Sequence, residues 1–334
     1  TYYVRSMKIV VTGGTGFVGR EVVRQLLNAG HQVRCVARGG RPVQTGVEFV
    51  RGSVLEFATL PSLFAGAEAV IHLVGIIGEV GDQTFERVHT SGTANAVHAA
   101  RAAGIRRFVQ MSALGTRPNA VARYHRSKWE AEERVRRSEL RWTVFRPSLI
   151  YGPGDDFVNR FVGMARWSPV LPVLGPGDRR LQPVAVEAVA HAFVQSLRVP
   201  ESEGQIFDLC GPRTYTFPEL LDRIVEAAGL RRRQIHLPLP LARLGARVLE
   251  TVFPTLLGRP APLNVDQIQM LQEDNIGDPG PAERMLGMPV IGFEEGLRRF
   301  VPVRGRIPGA SAGLEPVQTA RPAGETPGVG SGSR

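Results

Sequence analysis

The chain has 334 residues, 43% of them hydrophobic and 22% charged, which suits a protein with a sizeable core in one large domain or two interlocked ones. Its formal net charge of +10 comes almost wholly from arginine, because Lys8 and Lys128 are the only lysines. The arginines are scattered, clustering only at Arg231–Arg233 and between Arg134 and Arg137 without interleaved aromatics, so a nucleic-acid partner is excluded.

In chain order, Thr1–Ser6 lack the basic, apolar and small-residue succession of a signal peptide and read as an upstream extension, with Met7 as the functional start. Lys8–Thr12 reads as a short apolar strand. It is followed by Gly13, Gly14, Thr15, Gly16, Phe17, Val18 and Gly19, then by a helical pattern over Val18–Ala29 that Gly30 ends. A GxxGxxG spacing between strand and helix leaves bare N–H groups at the positive end of the helix dipole, where a pyrophosphate can bind. Gly13, Thr15, Gly16, Phe17, Val18 and Gly19 are therefore candidate cofactor ligands. Further strands are expected at Gln32–Ala37, Val47–Arg51, Ala69–Val74, Arg107–Met111 and Trp142–Arg146, with helices at about Thr59–Phe64, Thr84–Ala103 and Tyr124–Ser138. This alternation predicts an α/β class, a doubly wound parallel Rossmann sheet whose ligand lies at the carboxyl ends of the strands. Arg38, Gly75, Met111 and Ser112 fall at such ends, and Ser53 and Val54 follow the third strand.

Within YHRSK, Tyr124 and Lys128 lie four apart, hence on one helix face about a turn from each other. A nearby ammonium favours the phenolate, which would bring the tyrosine toward use as a general acid or base. The same spacing also occurs on ordinary exposed helices.

Cys35 and Cys210 have no partner at metal-ligand spacing and read as buried, reduced thiols of a cytoplasmic protein. No apolar run approaches the ~18 residues of a membrane span. From Tyr151 the character changes to frequent prolines and short elements. The expected division is a nucleotide-binding domain over 7–175, a smaller substrate- or partner-facing region over 176–303 threaded back onto the sheet, and a disordered tail over 304–334. Leu241, Leu244, Val248, Leu249 and Val252 mark an apolar helix face opposite Arg243, Arg247 and Glu250. This stripe is expected to be a packing surface, with membrane or partner contact as the alternative.

With GGTGFVG and YHRSK in hand, the chain from Met7 to about Val303 resembles the extended short-chain dehydrogenase/reductases of the NAD-dependent epimerase/dehydratase superfamily. RPSLIYGPGD from Arg146 and LQPVAVEAVA from Leu181 match two later motifs. The short stretch from Ser112 to Tyr124, YHRSKWEAE, DDFVNRF from Asp155 and LPLPL from Leu237 resemble the atypical branch that holds the NAD(P)H-binding accessory subunit of respiratory complex I and its bacterial relatives. The resemblance implies that Gly13, Gly16 and Gly19 form the phosphate loop, that Phe17 and Val18 supply helical N–H groups, and that Gly75 brings backbone close to the cofactor. It implies Tyr124 as proton donor or base, and Lys128 as the residue that lowers its pKa and bonds the nicotinamide ribose. Where NAD-preferring members place a carboxylate after the second strand, this chain has Ala37 and then Arg38. An arginine forks onto a 2′-phosphate, so NADP(H) is preferred and NAD(H) is possible.

Three departures stand against the resemblance. The hydroxyl residue expected after the fifth strand aligns with Ala113, leaving Ser112 one residue early; His89 stands in VHTSGT where an asparagine is usual; and Ser53 replaces a common aspartate. Two functions follow. One is an oxidoreductase or epimerase passing hydride between nicotinamide and a carbonyl or carbinol carbon. The other is a non-catalytic NADPH-binding structural or assembly protein of a respiratory or quinone-synthesis complex, in peripheral contact with the inner face of a membrane.

Overall fold

The computed structural model describes residues 5–39 and 44–303, so the expected tail over 304–334 and most of the expected upstream extension lie outside the described residues. β1 (Lys8–Thr12), β2 (Gln32–Ala37), β3 (Val47–Arg51), β4 (Ala69–His72), β5 (Arg107–Met111) and β6 (Arg141–Pro147) pair in parallel. After β7 (Ile150–Tyr151), β8 (Val170–Leu174), β9 (Arg180–Leu181) and β10 (Val184–Ala185), the strand β11 (Gln205–Leu209) returns to pair with β6. The sheet order is β11-β6-β5-β4-β1-β2-β3, and β1 and β4 flank the point where the chain reverses its direction of winding. In such sheets a crevice opens there beyond the carboxyl ends of the strands. β12 (Tyr215–Thr216) pairs with β9, β13 (Arg233–Leu237) with β8, and β7 with β10, as three separate ladders.

The strands are continuous apolar runs because both faces are covered. Ile9 and Val11 enter one core with Val22, Val23 and Leu26, while Val10 enters the other with Phe108, Phe64 and Val97. α1 (Phe17–Asn28) covers the first face; α2 (Leu60–Phe64), α3 (Gly92–Ala102) and α4 (Arg123–Arg136) cover the second. Beyond α5 (Asp156–Trp167), α6 (Val186–Ser196) returns beside α1. Cys35 and Cys210 are buried free thiols, as expected.

Two departures from expectation go beyond a residue or two at the end of an element. The helix expected over Thr84–Ala103 opens as a π-helical turn, Glu86–Ser91, before α3. This widened turn carries His89 into hydrogen bonds with the loop after β4 and with α4. The second correction concerns the stripe expected to pack. After α7 (Phe217–Ala227), α8 (Leu239–Leu257) buries Ala242 and Ala246, which pack with Ile268 of α9 (Val265–Met270) and with Leu174, Leu239 and Leu263. Small side chains allow close approach on that side, and the larger Leu241, Leu244, Val248 and Val252 are left facing solvent. α10 (Gly280–Leu286) and α11 (Phe293–Phe300) complete the described chain. No described helix is long and apolar enough to cross a membrane.

Candidate functional site

The glycine loop joins β1 to α1 at the reversal point. Gly13 has φ 78°, and a Cβ there would stand 3.1 Å from the backbone of Leu73 and Val74. A Cβ at Gly19 would lie 2.2 Å from the Gly13 carbonyl oxygen, and one at Gly14 would lie 2.7 Å from Cys35 Sγ. Helix, loop and neighbouring strand thus approach to distances only glycine permits. Gly16 is the N-cap of α1 and makes no side-chain cap bond, so the N–H groups beginning at Phe17 and Val18 are uncapped by any side chain. The Thr15 carbonyl accepts from Arg20 Nε at 3.1 Å. This bare cradle fits the pyrophosphate of a dinucleotide.

The other expected cofactor residues occupy the same edge of the sheet. Arg38 is exposed and donates from Nη1 to Gln83 Oε1 at 2.5 Å. Ser53 Oγ accepts from Leu55 N at 3.2 Å; Val54 is buried, its carbonyl taken by Asn95 Nδ2 at 2.9 Å. Gly75 is exposed beyond β4, and a Cβ there would stand 3.0 Å from Lys128 Nζ. Gly75 and Lys128 are therefore in direct apposition.

Tyr124 and Lys128 lie in the first half of α4. Lys128 is buried, and its Nζ donates to Met111 O at 3.3 Å and stands 6.0 Å from the centre of the Tyr124 ring. Burial lowers Lys128 to about 8, with Glu132 opposing the shift. The Tyr124 ring is held edge-on by Phe85, His89 and His125 at centroid distances of 5.8, 5.3 and 5.4 Å. The expected lowering of its pKa is not found, because burial pushes the phenol up to about 12. Desolvation of the phenolate outweighs any attraction from the Lys128 ammonium.

His89 has a defined tautomer. Nε2 accepts from Ile76 N at 3.0 Å, so Nδ1 carries the proton and donates at 2.8 Å to Ser127 Oγ, which in turn donates to Tyr124 O at 2.8 Å. Burial and Lys128 hold His89 near 2, so it stays neutral. Its polar bonds hold the loop after β4 against α4, leaving only the ring edge-on to Tyr124. Ser112 is buried and donates to Thr116 Oγ1 at 3.4 Å, while Ala113 is half-exposed; no hydrogen bond among the described residues links Ser112 to Tyr124.

Sequence reasoning missed several neighbours. His125 is buried beside Tyr124 with neither ring nitrogen paired, and burial lowers it to about 4. Its position within YHRSK was the available signal. Phe85 also borders a cavity of about 220 Å³ shared with Gly78, Glu79, Arg123, Glu250 and Pro254. Arg123 pairs there with Glu79 at 2.7 Å and Asp266 at 3.3 Å. Glu132, fully buried, grips Arg146 of β6 through bonds of 2.8 and 2.6 Å and thereby fixes α4 on the sheet.

A family described as NAD(P)H-binding matches residues 13–160, and one described as the RmlD substrate binding domain matches 115–261. Ceramide reductase of Caulobacter vibrioides is 35% identical over 239 residues, 70% of this chain and 74% of that protein. The mitochondrial NADH dehydrogenase [ubiquinone] 1 alpha subcomplex subunit 9 of Arabidopsis thaliana is 30% identical over 289 residues, 82% of this chain and 71% of that protein. Among solved structures, UDP-glucose 4-epimerase of Thermotoga maritima superposes with a TM-score of 0.70 at 21% identity, covering 88% of this chain and 97% of that one, a likeness of fold. The glycine cradle, the apposed Gly75 and Lys128 and these relatives agree: the chain belongs to the extended short-chain dehydrogenase/reductases of the epimerase/dehydratase superfamily, in the atypical branch that includes the complex I accessory subunit.

Proposed function

We propose that the protein is an NADP(H)-dependent oxidoreductase acting between a carbonyl and a carbinol carbon, with Tyr124 as the acid or base. The observation that carries the reading is the apposition of Gly75 and Lys128 Nζ beside the glycine cradle, with Tyr124 one turn away on α4. Gly13, Gly16 and Gly19 would admit the pyrophosphate, and Arg38, at the end of β2 where no carboxylate stands, would take a 2′-phosphate. A nicotinamide bound there supplies hydride to the carbonyl carbon or accepts it from the carbinol. Tyr124 gives its proton to the carbonyl oxygen as the C–O double bond becomes single, or removes it in reverse. Lys128, at about 8, is mostly protonated at neutral pH and offsets the negative charge left on the phenol.

Tyr124→Phe deletes the proton donor and leaves the cradle intact. Cofactor affinity should stay within a few-fold while turnover of any carbonyl substrate falls about 10²–10⁴-fold. Full retention of turnover would refute the role of Tyr124. A second reading, a non-catalytic dinucleotide-binding assembly protein, is favoured by Ala113 and by the engagement of Ser112 with Thr116. It predicts that Tyr124→Phe supports every cellular role of the parent chain.

A further inference from the structure

α8 is amphipathic with the wrong side out. Leu241, Leu244, Val248, Val252 and Leu256 follow the three- and four-residue spacing of one helix face and are 59, 60, 54, 39 and 75% exposed. The buried side carries only Ala242 and Ala246 as fully enclosed residues. Scattered exposed apolar residues are ordinary, but five on one face of a 19-residue helix form a continuous surface that water covers at a cost. Charge says what should cover it. Between Leu230 and Pro260 the chain holds Arg231, Arg232, Arg233, Arg243, Arg247 and Arg259, and its single acidic residue, Glu250, turns inward to accept from Val265 N at 3.1 Å. At 100° per residue, Arg247 lies about 60° and Arg243 about 100° beyond the Leu244 side of the stripe, on the polar flank of the helix, and both are exposed.

We propose that α8 lies in the interface of an anionic lipid bilayer, its Leu/Val stripe among the acyl chains and its arginines against lipid phosphates. An apolar stripe with arginine on the polar flank is the pattern of helices that rest in the headgroup region rather than cross it. The surface of a second copy of a chain carrying net charge +10 offers an arginine-flanked stripe less compensation than anionic headgroups do. The inner side of α8 brings Glu250 and Pro254 to the cavity that Phe85 and Arg123 share with the Tyr124 neighbourhood. Docking therefore holds that cavity within about one helix diameter, ~10 Å, of the lipid.

The full chain should be sedimented with vesicles of phosphatidylglycerol and phosphatidylcholine, and with phosphatidylcholine alone, at low and high salt. Binding is expected to the anionic vesicles, weakening as salt rises, and to be at least about tenfold poorer to the neutral ones. Leu244→Glu/Val248→Glu and Arg243→Glu/Arg247→Glu should each reduce binding to anionic vesicles about tenfold or more without moving the thermal unfolding midpoint, because all four side chains are exposed. Absence of wild-type binding to anionic vesicles at low salt would overturn the proposal, as would binding by both double variants as tight as that of the wild type. Light scattering that finds a dimer which Leu244→Glu/Val248→Glu converts to monomer, with no vesicle binding by the wild type, would assign the stripe to a second copy instead.

Discussion

Breaking the Glu132–Arg146 pair should cost unequal amounts depending on which partner is removed. Glu132 is fully buried, whereas the Arg146 side chain is 21% exposed, and the two make bonds of 2.8 and 2.6 Å in a forked arrangement. In Arg146→Gln the carboxylate is left without its cation and without water, a loss of about 3–5 kcal/mol at neutral pH. In Glu132→Gln the guanidinium can turn partly to solvent and the amide oxygen can still accept one bond, so the loss should be about 1–3 kcal/mol. The double variant should lose less than the sum of the singles. Urea unfolding at neutral pH measures all three. Equal losses in the two single variants would refute the claim that the cost lies in the stranded carboxylate.

Other substitutions test the electrostatics of the site. Burial lowers Lys128 from 10.5 to about 8, so the folded chain binds fewer protons than the unfolded chain between those values and gains stability as pH rises through that window. Lys128→Met should accordingly be the more stable protein near pH 7, by up to about 3 kcal/mol less the lost Met111 hydrogen bond, with the advantage fading toward pH 10. Thermal unfolding of both proteins across alkaline pH checks this; a less stable variant at pH 7 would show that the ammonium is better solvated than its burial indicates. Arg38→Glu should weaken NADPH binding far more than NADH binding in paired fluorescence titrations, since it places a carboxylate where a 2′-phosphate would lie; equal losses would dissociate Arg38 from cofactor choice.

The local chemistry of the chain determined its fold class and the outline of its site. Apolar runs of strand length alternating with helical periodicity can bury both faces only as a covered parallel sheet, and β1, β2, β3 and β5 begin and end at the expected residues. The glycine spacing placed the loop, because bare backbone at a helix start is a local property that the sequence spells out. The pairing of Tyr124 with Lys128 on α4 was likewise a matter of spacing along a helix. What spacing could not supply was anything set by separation in space. Glu132 meets Arg146 across 14 positions, Gly14 yields to Cys35 on the next strand, and His89 takes its tautomer from Ile76 and Ser127, so each role exists only once the chain has closed. The phenol of Tyr124 rises rather than falls for the same reason: desolvation depends on what packs around it, not on the lysine four residues away. α8 makes the contrast sharpest. Its periodicity defined an apolar face, but the close approach allowed by Ala242 and Ala246 decided that the opposite side would meet the core, and left the larger stripe outside.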